Sequence, residues 1–160
     1  MGNVAEFSLG LRLFLAGYRW RKVSPIPWAP LPKPVAESRV ALVSTAGLVM
    51  PGQEPFDDRK RGGDTSLREL AGDVEVSALV ETHRSEAFDH EGIRRDPNLA
   101  LPLDRLREMA AEGRVGAVNH RHFSFMGSVT APGRLVKESA PEAAAALVAD
   151  AVDVALLVPV

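Results

Sequence analysis

The sequence predicts an α/β fold with an open, mainly parallel sheet and flanking helices. Two helical segments, about 103–112 and 140–150, are each followed by a short apolar run, Val115–Val118 and Val154–Val160. A third run, Arg39–Thr45, has an unbroken apolar centre, which is typical of a strand buried on both faces of a parallel sheet. This alternation of helices with buried strands is the pattern of right-handed βαβ units.

The composition is that of an ordinary globular protein. The 160 residues include 19 basic and 21 acidic side chains, for a net charge of −2, and no cysteine. A chain without a basic surplus is not expected to bind nucleic acid, and no apolar run is long enough for a membrane span. The absence of cysteine excludes disulfides and thiolate metal sites within these residues. It also fits the reducing cytoplasm, where we expect the protein.

The first part of the chain is predicted to be a helix followed by a connector. Apolar residues recur on one helical face over 5–19, and five prolines within Ser24–Pro34 favour an extended backbone. We therefore assign residues 1–24 to an N-terminal helix and its lead-in, 25–37 to a Pro-rich connector and 38–160 to the α/β domain. The Pro-rich segment is interpreted as a stiff connector, the alternative being a PxxP ligand for a partner domain.

Local signals set the boundaries of the two main helices. Pro102 opens the first, Asp104 lies in its opening turn and Gly113 ends it. Ser139 and Glu142 form a capping-box pattern that predicts the start of the second helix.

The remaining segments are predicted from composition. Residues 47–73 are rich in Gly, Pro, Asp and Arg without periodicity, so we predict a long loop there. A second extended segment is expected within Val74–Val80. The closing run Val154–Val160 is predicted to be a buried core strand. Because ligands of open α/β sheets bind beyond the strand ends, and this chain stops at one, we expect the domain to be truncated after a core strand.

Four histidines fall in two short clusters, each following a predicted strand. On a strand, His120 and His122 would face the same side, so an HxH metal site completed by His83 or Asp89 is one interpretation. A substrate-binding or acid–base site is a second, and structural hydrogen bonding is a third. His90 is expected on a solvated loop.

The turn Ser44–Gly47, directly after the first strand, suits an approach to a ligand through backbone N–H groups. The nucleotide-binding patterns GxGxxG and GxxxxGKS/T are absent from the sequence, as is the GxSxG elbow of serine hydrolases. We therefore assign no cofactor, no metal and no catalytic residue from these motifs.

Several phrases occur in order along roughly residues 18–160: Ser38–Gly47, Gly52–Phe56, Thr82–Arg84, Pro102–Leu106, Arg121–Gly127 and Asp153–Val160. Together they resemble the B-type subunit of the glycine/betaine/sarcosine/D-proline reductase family, whose members are often selenoproteins. The single phrases are weak signals, whereas the ordered set is fairly specific.

The resemblance implies reductive C–N cleavage. In such reductases a selenocysteine or cysteine after the strand matching Val154–Val160 attacks the substrate carbon and displaces the amino group. A separate pyruvoyl-bearing subunit activates the amine, and a dithiol closes the cycle. Because this chain has no cysteine, it is expected to lack the nucleophile and to be inactive alone.

The favoured interpretation is a domain that binds a small amino-acid-like substrate. The side chains expected to bind it are Thr45, His83, Arg84, Arg121, His122 and Ser124. We expect His83 and His122 to lie near each other beside the carboxyl end of the first strand, with Arg84 and Arg121 close by.

Two other functions are weighed against this one. The alternative is a non-catalytic partner or scaffold subunit, and a less favoured one is a His-based metal-dependent hydrolase. The candidate protein partners are the pyruvoyl-bearing subunit and further copies of this chain.

Overall fold

The computed structural model describes residues 7–18, 22–85 and 88–160. The chain divides into two compact units, Met1–Pro30 and Leu31–Val160. The first contains helix α1 (Leu9–Gly17), which begins where the Ser8 hydroxyl accepts a hydrogen bond from the Leu11 N–H. Part of the predicted helix 5–19 lies outside the described residues, and the described helix is shorter. No residue of α1 is buried.

The second unit is built on a five-stranded sheet, which confirms the predicted fold class. Its strands are β1 (Arg39–Ser44), β3 (Leu67–Ala71), β5 (Ala117–Val118), β6 (Arg121–Phe125) and β7 (Val154–Val158). The central strand is β1. It pairs in parallel with β5 and then β6 along one side and with β7 along the other. Among the described strands of this sheet, β3 alone is antiparallel to its neighbour, β6.

The predicted long loop 47–73 contains two strands, so that prediction is wrong. Strand β2 (Leu48–Val49) pairs antiparallel with β4 (Val80–Glu81), and β3 joins the main sheet. Strands this short carry almost no periodic signal, and only Leu70 of β3 is buried. The extended segment predicted within Val74–Val80 is also wrong, because Val76–Ala78 forms a 3-10 turn and only Val80 belongs to a strand, β4.

The two predicted main helices are confirmed as α3 (Leu103–Ala111) and α4 (Ala140–Ala149); a shorter helix, α2, spans His90–Arg95. The predicted capping box is wrong. Ser139 has helical dihedral angles, because a π-helical segment, Leu135–Ser139, runs directly into α4. Its hydroxyl instead donates to the Thr65 carbonyl.

The core has an apolar layer on each face of the sheet and a small third cluster formed by Val49, Phe56 and Met126. One layer packs Val40 and Leu42 of β1 beneath α3, together with Leu103 and Leu106. The other packs Ala41 of β1 against α4, in a cluster that also contains Phe123, Phe125, Ala143 and Leu147. Successive β1 side chains point to opposite faces, so both are buried, which explains the unbroken apolar centre of this strand. Full burial of one leucine such as Leu42 contributes about 1.5–3 kcal/mol.

Strand β7 is present as predicted, but it is not buried. Leu156 is 47% exposed and Leu157 is 67% exposed. Within the described chain β7 pairs with β1 alone, which makes it an edge strand of this sheet. The same apolar sequence can form a central strand or an edge strand, so the sequence pattern could not predict the exposure of β7. None of the described helices is both long and apolar enough to cross a lipid bilayer.

Candidate functional site

The candidate site is the edge of the sheet at which the parallel strands end. Thr45 connects these ends. Its N–H donates to the Val158 carbonyl at 3.1 Å, and its own carbonyl accepts from the Gly127 N–H at 2.8 Å. Its hydroxyl oxygen accepts from the Val160 N–H at 3.0 Å. Thr45 therefore fixes the three chain segments that leave β1, β6 and β7 relative to one another.

The backbone N–H groups of residues 45–47, in the turn Ser44–Gly47, donate to acceptors within the protein. The Ala46 N–H donates to the Ser44 hydroxyl at 3.1 Å, and the Gly47 N–H donates to the Phe125 carbonyl at 2.9 Å. With the Thr45 N–H also paired, the backbone N–H groups of residues 45–47 are all used within the protein. The expectation that it approaches a ligand through backbone N–H groups is therefore wrong.

His83 lies against this turn and is held in one tautomer. Its Nδ1 accepts from the Ser85 N–H at 2.9 Å, so the ring proton of the neutral side chain is on Nε2. Burial lowers the pKa of His83, which favours that neutral form. Among the described residues the buried Nε2 has no hydrogen-bond partner.

Two glycines make room for this histidine. Gly47 has φ +66°, and a Cβ built there would lie 3.1 Å from the backbone nitrogen of His83. A Cβ on Gly127 would lie 2.7 Å from His83 Nε2, closer than packing allows. The close approach of the His83 backbone depends on Gly47, and that of its imidazole depends on Gly127.

Arg84 connects two loops at the same edge. Its guanidinium donates to the Lys60 carbonyl at 3.2 Å and to the Ser128 carbonyl at 2.9 Å. These bonds tie the segment before β3 to the segment after β6. The structure thus brings Arg84 together with His83 and Thr45.

His90 starts α2 and is not on a solvated loop, which corrects the prediction. Its Nδ1 lies 2.6 Å from Glu81 Oε2 and its Nε2 lies 2.7 Å from the Ser85 carbonyl oxygen. Both partners only accept hydrogen bonds, so both ring nitrogens carry a proton and the side chain is an imidazolium. The Glu81 carboxylate raises the pKa of His90, in agreement with this state. Phe88 packs between His83 and His90.

His122 lies inside the sheet, where it replaces a backbone partner. Between β5 and β6 the backbone pairing with β1 is interrupted. There His122 Nδ1 accepts a hydrogen bond from the Leu42 N–H of β1 at 3.0 Å. Burial lowers the pKa of His122 from its ordinary 6.5 to about 4, so the ring is neutral near pH 7. His122 pairs a position two residues before the end of β1, whereas His83 lies beyond that end.

Ser124 follows on the same face of β6 and lies opposite Ser44 of β1 in the parallel register. Its hydroxyl is buried and, among the described residues, has no hydrogen-bond partner. Ser124 therefore brings an unpaired polar group close to the candidate edge.

Arg121 lies at the amino end of β6, so the expectation that it borders the carboxyl end of β1 is wrong. Its Nε donates to Asp150 Oδ2 at 2.6 Å, and its Nη1 lies 3.2 Å from Glu69 Oε2. The Arg121 guanidinium holds the pKa of Asp150 well below its usual range, and Asp150 in turn raises the pKa of Arg121. Parallel strands deliver only their following loops to the ligand-binding edge, and Arg121 precedes its strand.

The HxH metal interpretation is also not supported. His120 precedes β6 and is exposed, whereas His122 is fully buried, so the two do not share a face. In the described ranges, no three His, Cys, Asp or Glu side chains are placed to hold a metal ion.

Sequence reasoning missed two acids that organise this edge. Glu81 accepts from the His83 N–H at 2.6 Å as well as binding His90. Asp64 accepts from the Asp57 and Ser66 N–H groups, both at 3.0 Å. An Asx turn over Asp64 and Ser66 is a recognisable local signal. The role of Glu81 had no such signal, because its partners are fixed only by the fold.

Comparison with known proteins identifies relatives over most of the chain. The family model described as glycine/sarcosine/betaine reductase selenoprotein B matches residues 9–159. D-proline reductase subunit gamma of Acetoanaerobium sticklandii is 32% identical over 136 residues, covering 84% of this chain and 54% of that protein. Glycine reductase complex component B subunit gamma of Carboxydothermus hydrogenoformans is 26% identical over 112 residues, covering 70% of this chain and 26% of that protein.

A third relative is sarcosine reductase complex component B subunit beta of Peptoclostridium acidaminophilum. It is 28% identical over 113 residues, covering 68% of this chain and 25% of that protein. The chain thus spans about half the length of the D-proline reductase subunit and about a quarter of the other two. No solved structure matches it.

Proposed function

Because the chain belongs to the glycine/sarcosine/betaine reductase selenoprotein B family, we propose that it is the substrate-binding part of a reductase B-type subunit. The substrate class is a small amino-acid-like molecule, and the reaction is reductive C–N cleavage with a dithiol/disulfide couple. The observation that carries this proposal is the family match across residues 9–159, which includes the strand ends described above. The relatives are named D-proline, glycine and sarcosine reductase subunits, which supports the substrate class.

We assign substrate contact to the polar groups at the carboxyl edge of the sheet. The Nε2–H of His83 and the hydroxyl of Ser124 are buried and lack a partner among the described residues, so a ligand that enters this edge would satisfy both without breaking a protein hydrogen bond. Arg84 and Thr45 border the same edge and hold its loops in place. Arg121 is left out of the binding proposal, because it pairs with Asp150 and Glu69 at the amino end of β6. His122 also has an unpaired Nε2, but it is left out because its ring lies inside the sheet, where it pairs with the Leu42 N–H before the end of β1.

The proposed chemistry needs a nucleophile that these residues do not supply. In the family mechanism a thiolate or selenolate forms a bond to the substrate carbon as the C–N bond breaks and the amine leaves. A dithiol then cleaves the new carbon–sulfur or carbon–selenium bond; the carbon takes a proton and leaves as product, the dithiol becomes a disulfide, and the nucleophile is regenerated. The 160 residues contain no cysteine, and serine or threonine hydroxyls are poor substitutes. The nucleophile must therefore come from outside these residues, with a pyruvoyl-bearing subunit as the proposed partner.

Ligand-induced stabilisation tests the proposal. The melting temperature of the chain is measured with glycine, sarcosine, betaine and D-proline; a ligand at about 100 times its Kd stabilises the protein by about 2.7 kcal/mol, which is a rise of several degrees. We expect His83→Ala and Ser124→Ala to abolish the rise. His120→Ala and Ser77→Ala, which change exposed residues of the same types, should retain it.

A chain that none of the four compounds stabilises would contradict substrate binding. Stable co-purification with the pyruvoyl-bearing subunit in that case would favour the non-catalytic partner or scaffold function.

A further inference from the structure

A cleft with positively charged walls lies beside the proposed substrate site. It is bounded by residues 60–65, before β3, and residues 131–134, after β6, and we call it the cationic cleft. Its main cavity, of about 430 Å³, is lined by Lys60, Arg61 and Arg134 among others. Leu67 pairs with Phe125, the last residue of β6, so the cleft opens at the edge where open α/β sheets bind ligands.

The two walls are held together by backbone contacts. The Gly62 carbonyl accepts from the Thr130 N–H at 2.9 Å and from the Ala131 N–H at 3.0 Å. Gly63 has φ +98°, and a Cβ built there would lie 2.9 Å from the Val129 Cα, so a larger residue would force the walls apart. The cleft is therefore preformed, which lowers the entropic cost of binding a small ligand.

A buried carboxylate fixes the first wall. Asp64 accepts from the Asp57 N–H and from the N–H and hydroxyl of Ser66. Burial by itself would raise the pKa of Asp64, but these hydrogen bonds hold it at about 2. Lys60 Nζ lies 3.4 Å from the same carboxylate, so its charge is partly compensated within the protein.

The two arginines of the cleft are not compensated in this way. Among the described residues no carboxylate lies within ion-pairing distance of Arg61 or Arg134, although most other arginines of the second unit have such a partner or bond backbone carbonyls. A guanidinium presents paired N–H donors that match the two oxygens of a carboxylate or phosphate. An anion in the cleft would meet these donors from both walls.

We propose that the cationic cleft binds the oxyanion group, carboxylate or phosphate, of a small ligand. An adjoining cavity of about 360 Å³ shares Lys60 and Arg134 with the cleft but is also lined by Glu138 and Glu142, which would repel a second negative charge there. The cleft therefore selects a ligand with one compact anionic group over an extended polyanion. This site goes beyond the proposed function, since none of the residues assigned to substrate contact lines it.

Isothermal titration of the 160-residue chain at low ionic strength, with inorganic phosphate and with acetate, tests the site. We expect one binding event for at least one anion, and the tighter of the two identifies the ligand as phosphate- or carboxylate-bearing. Arg61→Gln and Arg134→Gln should each weaken it by about tenfold or more, because each removes a charge-assisted contact. Arg134→Lys, which keeps the charge but removes the paired N–H donors of the guanidinium, should weaken binding by an intermediate factor.

Two control variants separate this site from general charge and from the proposed substrate site. Arg105→Gln removes the same charge from the exposed face of α3 and should leave the affinity within roughly twofold. His83→Ala, which changes the proposed substrate site and not the cationic cleft, should also leave the affinity for the anion within roughly twofold. No heat of binding for either anion, or equal weakening by Arg105→Gln and Arg134→Gln, would overturn the proposal. Thermal melts of each variant establish that the fold is retained.

Discussion

Replacing His122 with alanine should destabilise the protein without any ligand present. The change leaves the buried Leu42 N–H without its hydrogen-bond partner, His122 Nδ1 at 3.0 Å, at a cost of about 1–3 kcal/mol. The vacated ring volume adds about 1.5 kcal/mol of cavity cost. Loss of the unpaired, buried Nε2–H offsets part of both, so we expect a net loss of about 2–3 kcal/mol. In a domain of this size that is a fall in melting temperature of roughly 6–10 °C.

Two further variants identify the hydrogen bond as the cause. In His122→Asn the side-chain oxygen takes the place of Nδ1 and can accept the Leu42 N–H, whereas in His122→Gln the polar end lies nearer the position of Nε2. We therefore expect His122→Asn to be the more stable of the two, measured by urea denaturation at pH 7. An alanine variant within 0.5 kcal/mol of wild type, or a glutamine variant more stable than asparagine, would refute the reasoning.

The same histidine should make stability depend on pH. Its pKa is about 4 in the folded protein and 6.5 ordinarily, so the unfolded chain takes up the proton first as the pH falls. This group therefore contributes full stability above pH 6.5 and loses about 3 kcal/mol by pH 4. The lowered pKa of His83 adds a pH dependence of stability below 6.5, and the raised pKa of His90 adds one above 6.5, but both side chains remain in His122→Asn. The difference between the two stability curves therefore isolates His122, and parallel curves would contradict its assignment as a buried neutral ring.

Three other outcomes are expected. Asp150→Asn, which leaves Arg121 without the closer of its two carboxylate partners, should be clearly more destabilising by chemical denaturation than Glu108→Gln, in an exposed pair, which should cost less than about 0.5 kcal/mol. The NMR titration of His90 should give a pKa above 6.5 that Glu81→Gln lowers, because the carboxylate favours the imidazolium; an unchanged pKa would exclude that pairing. The chain alone should release no amine or ammonia from glycine, sarcosine, betaine or D-proline with a dithiol donor, since it has no cysteine, and release that survives repurification would contradict the proposed mechanism.

Part of the candidate site follows from the order of elements along the chain. Thr45 follows β1 directly, so the parallel arrangement of the main sheet predicts its position at this edge. His83 and Arg84 follow β4, which pairs antiparallel with β2 outside the main sheet, so tertiary contacts rather than strand order bring them there. The expected position of Arg121 was wrong because it was placed in the loop after the predicted strand Val115–Val118. Arg121 is instead the first residue of the next strand, β6. A shift of a few residues in a strand boundary moves a side chain from one edge of the sheet to the other, and boundaries are the least certain part of a sequence-based prediction.

The sequence by itself determined the fold class, the position of α3 and α4, and the burial of β1 on both faces, because these depend on apolar periodicity and local composition. It also carried the family resemblance, through phrases that need no structure to be compared. The tertiary structure alone decided which polar groups are paired. Arg84 reaches Ser128 across 44 residues and His122 reaches Leu42 across 80, while Arg61 and Arg134 are left facing an open cleft. Contacts between positions so far apart depend on the folded path of the whole chain, which no local pattern encodes.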